Sequence, residues 1–317
     1  MLIKSLFQVS VLASTAFATT DTAAINGVVV ASAEGYDDVD TGTTRIVGGE
    51  TAVEDEFPFL VRLQIKTPAG HFSCGGALVH ANWVLTAAHC FQSDSTWSTV
   101  ALTHVDVVIG AHLYLAQSSK STTVRVLPEH VTPHPSYNPS TIINDACLIQ
   151  LPSNSHSVSA QDLAVMNFDT LPYGYNLTVA GWGLTTEGNL AEGIDAVTPD
   201  FLQKVTVPVI TQELCMQWTG NAISKHSDGE VFCAGLAEGG EDSCSGDSGG
   251  PFFRKESSEW VTYGIVSYGF QKGAGSCAIP ENPGIYASVK FHEAWIKATM
   301  NGEDYVAPTR IVIKWCL

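Results

Sequence analysis

Downstream of about residue 46 the chain breaks into short runs rich in β-branched and aromatic residues, such as residues 59–65, 105–109 and 261–268, separated by Gly, Pro and Asn turns. No long 3.6-residue period of apolar side chains runs through this region, so amphipathic helices do not account for its apolar content. Strands this short bury their faces only by pairing with many neighbours, and the pattern predicts an all-β barrel or sandwich. At 317 residues there is room for two modest domains or one large one. One late segment, residues 291–300 (FHEAWIKATM), departs from the pattern and places Phe291, Trp295 and Ile296 near one helical face.

The ten residues 242–251, DSCSGDSGGP, carry the strongest chemical signal. A serine hydroxyl is a poor nucleophile unless a base takes its proton, so Ser248 asks for a histidine and a carboxylate elsewhere. His89 stands in WVLTAAHC (residues 83–90), where an apolar strand breaks into a small-residue turn. Asp145 stands in NDACLIQL (residues 144–151), at the mouth of a short apolar run. The order His89, Asp145, Ser248 is one of three chain orders known for such a triad. Alone, GDSGG would be an ordinary glycine turn with a loop serine; the two companion motifs make that reading untenable.

Ile46-Val47-Gly48-Gly49, Gly181-Trp182-Gly183, Ser267-Tyr268-Gly269 and Pro283-Gly284-Ile285-Tyr286 complete an ordered set. From about Arg45 to Met300 the chain resembles the trypsin/chymotrypsin family of serine endopeptidases. The resemblance implies two packed six-stranded antiparallel β-barrels with a C-terminal helix, His89 and Asp145 coming from the first barrel and Ser248 from the second. It implies that Ser248 attacks a peptide carbonyl while His89 takes its proton, that Asp145 orients His89, and that the N–H groups of Gly246 and Ser248 receive the oxyanion. Asp242 and Ser243 fall at the floor of the primary specificity pocket, and Gly269 and Gly284 at its walls. A carboxylate there calls for Arg or Lys before the scissile bond, whereas the bland alternative for Asp242 is a solvated loop acid. Residues 267–269 are expected to pair with substrate main chain as an added strand. Tyr268 stands where tryptophan is commoner, and residues 270–276 form a longer segment than in simple digestive trypsins.

The same resemblance implies a zymogen, in which cleavage after Arg45 frees the Ile46 amine to pair with Asp247. It also pairs Cys74 with Cys90, Cys215 with Cys233 and Cys244 with Cys277, in keeping with an oxidising compartment. Cys147 and Cys316 have no family partner, and a bridge, two thiols and an intermolecular link all stay open, a buried inert Cys147 being the default. Residues 1–18 read as a signal peptide, 19–45 as an activation propeptide, 46–300 as the peptidase domain and 301–317 as an extension without a template. The expected location is therefore extracellular.

The chain carries 15 Lys and Arg against 32 Asp and Glu, a formal net charge of −17. Such a surface repels nucleic acid and anionic membranes and steers basic substrates. The expected partners are protein or peptide substrates with Arg or Lys before the cleaved bond, together with protein protease inhibitors, for a monomeric enzyme. No cofactor is expected, and no metal: the loop after Gly110 has no acid up to Thr123, and His130 and His134, set among prolines, are expected in an exposed loop. Asn176-Leu177-Thr178 is a glycosylation acceptor motif. The rival reading is a protease-fold binding or inhibitory protein with little turnover.

Overall fold

The computed structural model describes residues 48–91, 102–114, 120–185, 197–270 and 277–307. The expected signal peptide, the propeptide with Arg45, the Ile46 amine, residues 271–276, the apolar run 311–313 and Cys316 lie outside the described residues.

In chain order the first strands are β1 (Glu50–Thr51), β2 (Leu60–Thr67), β3 (Gly70–His80), β4 (Trp83–Thr86), β5 (His104–Ile109), β6 (Thr122–Val126), β7 (Val131–Pro133) and β8 (Cys147–Gln150). There follow β9 (Val165–Met166), β10 (Asn176–Gly181), β11 (Gln203–Ile210), β12 (Val231–Ala234), β13 (Pro251–Glu256), β14 (Glu259–Tyr268) and β15 (Gly284–Ser288). Two α-helices are described, α1 (Gln212–Trp218) and α2 (Glu293–Asn301).

Strands β10 to β15 close into a ring, because β11 bonds to β10 on one side and to β12 on the other. Its order is β11-β10-β13-β14-β15-β12, with β1 added on β11 and β9 on β14. This is the expected second barrel. The other sheet takes the place of the expected first barrel as a curled half-barrel: it has seven antiparallel strands in the order β6-β5-β2-β3-β4-β8-β7, and its end strands do not pair with one another among the described residues. The two end strands are sequence neighbours separated only by the 3₁₀ turn Pro128–His130. β7 is three residues long and ends in Pro133, which has no N–H to offer a closing partner.

The apolar runs read from the sequence supply the core. β2 buries Leu60, Val61, Leu63 and Ile65, β5 buries Val105, Val107 and Val108, and β8 buries Leu148 and Ile149. Phe57 and Phe59, just before β2, meet Phe253 of β13 and Trp260 of β14 in edge-to-face and tilted contacts with ring centroids 4.9–5.8 Å apart. Each such pair contributes about 0.5–1.5 kcal/mol beyond its buried area, so this knot pins the two sheets together. The motifs that carry His89, Asp145 and Ser248 then sit where strands of opposite sheets end.

The C-terminal helix forms as expected, with Trp295 and Ile296 buried, but Phe291 precedes it and stays 38% exposed. Gly302, with φ +70°, caps the helix by donating to the carbonyls of Ala298 and Thr299.

The expectation of an exposed His134 is overturned. It is 5% exposed and its ring lies 5.0 Å from Trp295, 5.4 Å from Tyr305 and 5.5 Å from His292. The helix and the residues after it fold back over the proline loop, a contact no local pattern announces. His134 Nδ1 accepts the Ser136 N–H, and burial, with His292 beside it, holds the imidazole down at about 4. Because the folded state resists a proton that the unfolded chain takes up near 6.5, stability should fall as pH drops from about 6.5 to about 4 and then level off for this group. The loss should reach about 3 kcal/mol. Urea midpoints of an inactivated variant measured across that range should show the slope, and His134→Phe should reduce it, the buried His292, also held below its ordinary value by burial, keeping a remainder.

Candidate active site

β4 is buried throughout, and the small residues after it let the chain tighten into the 3₁₀ turn Ala88–Phe91 that carries His89. The Cys74–Cys90 disulfide ties that turn to β3. Asp145 lies two residues before β8, after Asn144 in the left-handed region at φ +58°, which asparagine tolerates well. The two motifs meet twice: the His89 backbone N–H donates to Asp145 Oδ1 at 2.9 Å, and His89 Nδ1–H donates to Oδ2 at 2.8 Å. Ser267 Oγ donates to the same Oδ2 at 2.5 Å. Full burial alone would push this carboxyl up, yet the His89 charge and these hydrogen bonds outweigh it and hold Asp145 below the ordinary carboxylate value. Asp145 is thus an anion that fixes which ring nitrogen of His89 carries the proton.

Ser248 lies in the loop entering β13 and is anchored to the first sheet by its own carbonyl, which accepts the Gly75 N–H at 2.8 Å. Gly75 follows Cys74, whose disulfide partner Cys90 follows His89, so Ser248 and His89 are strapped to one another through Cys74 and Gly75 of β3 and the bridge to Cys90. A Cβ on Gly249 would fall 2.2 Å from Thr86 Oγ1, which is why only glycine lets the loop dock there. Gly246 adopts φ +107°, and a Cβ on it would sit 3.0 Å from Gly183 Cα. The N–H groups of Asp247, Gly249 and Gly250 go to the carbonyls of Cys244, Val266 and Asp247. Those of Gly246 and Ser248 donate to no protein acceptor among the described residues. Ser248 Oγ likewise makes no side-chain hydrogen bond there.

Asp247 is buried and accepts the backbone N–H groups of Gly183 (2.8 Å) and Cys244 (3.0 Å). Burial, only partly offset by these bonds, pushes its carboxyl up to about 6. Side chains at Gly181 or Gly183 would collide with it, since their Cβ atoms would lie 2.2 and 2.3 Å from its oxygens. The Gly-Trp-Gly motif is therefore the mould for this carboxylate.

Beside Ser248 opens a cavity of about 260 Å³ lined by Asp242, Ser243, Ser267, Tyr268, Gly269 and Gly284 among others. At its base Asp242 is 4% exposed. Its Oδ2 accepts the Ala278 N–H at 3.2 Å, while Oδ1 has no hydrogen-bond partner among the described residues. A Cβ on Gly284 would lie 3.0 Å from that free oxygen, so the missing side chain leaves the approach to it open. Desolvation pushes Asp242 up to about 7 despite the N–H groups of Ala278 and Ser243. An unpaired carboxylate oxygen facing a cavity is costly unless a ligand comes to it. Residues 46–296 match the protein family described as Trypsin.

The chain belongs to the trypsin family. Among curated relatives, Trypsin of Xenopus laevis is 31% identical over 274 residues, covering 86% of this chain and 96% of that protein. Serine protease 1 of Rattus norvegicus is 32% identical over 257 residues, covering 81% and 90%. Serine protease 56 of Homo sapiens is 31% identical over 281 residues, and there the match spans 86% of this chain but only 41% of the human protein. The trypsin-family chain is a serine protease, a hydrolase with proteins as substrates.

The three disulfides implied by the family resemblance are all formed. Cys147 is fully buried in β8 and burial pushes its thiol well above the ordinary value, the inert state expected of it. Asn176 is exposed at the start of β10. No described helix is long and apolar enough to cross a membrane.

Sequence reasoning assigned Ser267 a main-chain role and missed its hydroxyl. The β14–β15 register shifts between Val266 and Tyr268, and this bulge at Ser267 aims the side chain at Asp145. His226 and Glu230, which lie behind Tyr268, carried no sequence signal at all.

Proposed function

We propose that this trypsin-family protease is a secreted endopeptidase, made as a zymogen, that cleaves after Arg or Lys. The observation that carries the specificity is the unpaired Asp242 Oδ1, buried beneath Gly284 in the cavity that Ser248 borders. A guanidinium or ammonium reaching down that cavity satisfies the oxygen and brings its own carbonyl to Ser248. His89, with its Nδ1 proton committed to Asp145, presents Nε2 as the base, takes the Ser248 proton during attack and returns it to the departing amine. The oxyanion falls to the N–H groups of Gly246 and Ser248, neither of which donates to a protein acceptor among the described residues. Water then releases the acyl group from Ser248 by the same proton route.

Activation follows from Asp247. Gly48, the first described residue, packs on the loop before Asp242, since a Cβ on it would meet Gly240 O at 2.1 Å. Cleavage creates an amine at Ile46, two residues upstream, and on this reading that amine pairs with Asp247, a buried carboxylate whose described partners are neutral N–H groups. Pairing with it draws Asp247 into the charged form and sets the adjacent oxyanion loop. A signal peptide ending at Ala18, a propeptide ending at Arg45 and a glycan on Asn176 complete the secreted form.

The test is hydrolysis of a small arginyl chromogenic amide before and after cleavage at Arg45. Wild type should turn over only after cleavage, and Arg45→Gln should stay silent under the same treatment. Full activity of the uncut protein would remove the zymogen from this reading. Silence with Ile46 confirmed as the N-terminus would favour a protease-fold binding protein.

A further inference from the structure

Behind the substrate cavity lies a buried chain of polar groups that the triad does not use. Glu230, at the entry to β12, and His226, four residues earlier, have side chains only 1% exposed. Glu230 Oε1 accepts from His226 Nδ1 at 3.0 Å and from the Asn144 backbone N–H at 2.8 Å, and Oε2 accepts the Ser227 N–H at 2.8 Å. Burial would raise this carboxyl, but the three donors outweigh it and hold Glu230 down at about 2. It is therefore an anion, and His226 donates from Nδ1, leaving Nε2 to accept the phenol O–H of Tyr268 at 2.8 Å. The Tyr268 ring is further held by Lys225, whose Nζ lies 5.3 Å from its centroid, and by Phe270, edge-on at 5.5 Å.

Both ends of this chain reach the active site. Tyr268 lines the cavity beside Ser248 and belongs to the segment 267–269 that receives the substrate backbone in the proposed reaction. Asn144 is the left-handed residue that presents Asp145. One carboxylate on the second barrel thus braces two parts of the site that come from different barrels.

We infer that Glu230 and His226 are positioning residues for extended substrates, His226 setting the Tyr268 ring against the residues that precede the scissile one and Glu230 holding both His226 and the Asn144–Asp145 turn. This rests on the endopeptidase reading given above. A packing role alone would disturb all substrates equally. A positioning role separates them, because a single-residue amide has no preceding residues to lay against the Tyr268 ring.

Two arginyl amides with the same leaving group serve as probes, one carrying arginine alone and one a tetrapeptide ending in arginine. His226→Phe, which keeps a planar aromatic ring but loses both nitrogens, and Tyr268→Phe, which keeps the ring and loses one oxygen, should each raise the KM ratio of long to short substrate about three- to tenfold, the worth of one hydrogen bond. In this ratio the double variant should be no worse than His226→Phe alone, since that substitution already removes the bond to Tyr268. Glu230→Gln should add a fall in kcat on both substrates, through Asn144. Equal changes on the two substrates in His226→Phe, or additive losses in the double variant, would overturn the inference. A calorimetric arm separates it from the proposed reaction: on a Ser248→Ala background the intact tetrapeptide should bind three- to tenfold more weakly when His226→Phe is added. If wild type hydrolyses neither amide, the proposed reaction fails, and this arm still decides, with weakened binding supporting the positioning role and unchanged or absent binding refuting it.

Discussion

Ser248→Ala, assayed after cleavage at Arg45, should lose turnover of an arginyl amide by about 10⁶, the scale seen when a serine protease of unrelated fold loses its nucleophile. The magnitude follows from what the site has left. Without Oγ no acyl-enzyme forms, and His89 has no hydroxyl to deprotonate. The N–H groups of Gly246 and Ser248 remain to polarise a bound carbonyl, so about 10³–10⁴ over water should survive. His89→Ala should cost nearly as much, and the double variant little more than either, because base and nucleophile act as one unit. The variant should still bind substrate, since the alanine methyl leaves the Ser248 carbonyl on Gly75 and the cavity below it intact. Steady-state hydrolysis beside equilibrium binding of the same peptide measures both halves. Retention of even a hundredth of wild-type turnover would take Ser248 out of the reaction.

Asp242→Asn should weaken binding of a small aryl amidine, a mimic of the arginine side chain, by about 30- to 4,000-fold. That range is the 2–5 kcal/mol typical for truncating a buried, hydrogen-bonded charge pair at tenfold per 1.4 kcal/mol. The pH dependence adds a second signature. With no ligand, burial holds Asp242 near 7, so the acid is part-neutral at physiological pH. The cation binds the carboxylate form, hence its affinity should rise as pH climbs through about 7 and fall by up to tenfold per unit below it. The asparagine has no proton to lose, and its profile should be flat. Titration of the amidine into Ser248→Ala and Ser248→Ala/Asp242→Asn proteins between pH 5 and 9 reads both effects free of turnover. Equal affinities in the two would move the specificity away from Asp242.

Much of the site is legible in the chain because its parts are local motifs. His89, Asp145 and Ser248 each stand at the end of a buried strand, and Gly246, Gly249 and Gly284 mark places where a side chain cannot fit. The residues that brace those motifs are not legible. Ser267 reaches Asp145 across 122 positions of sequence, and only the bulge in β14 turns it that way. Glu230 lies 86 positions from the Asn144 N–H it accepts, and no local motif marks it.

The sequence by itself determined the all-β architecture, the C-terminal helix and the residue types of the candidate triad, which follow from short-range spacing of apolar, small and turn residues that the chain carries wherever it is read. The second barrel was implied only by the family resemblance. Only the tertiary structure decided that the first sheet stays open, that His134 is buried under α2, and that Asp242 keeps one oxygen free beneath Gly284. It also placed Glu230 behind both halves of the cleft. Each of these depends on which distant strand ends meet, and on whether a polar atom finds a partner once water has been excluded.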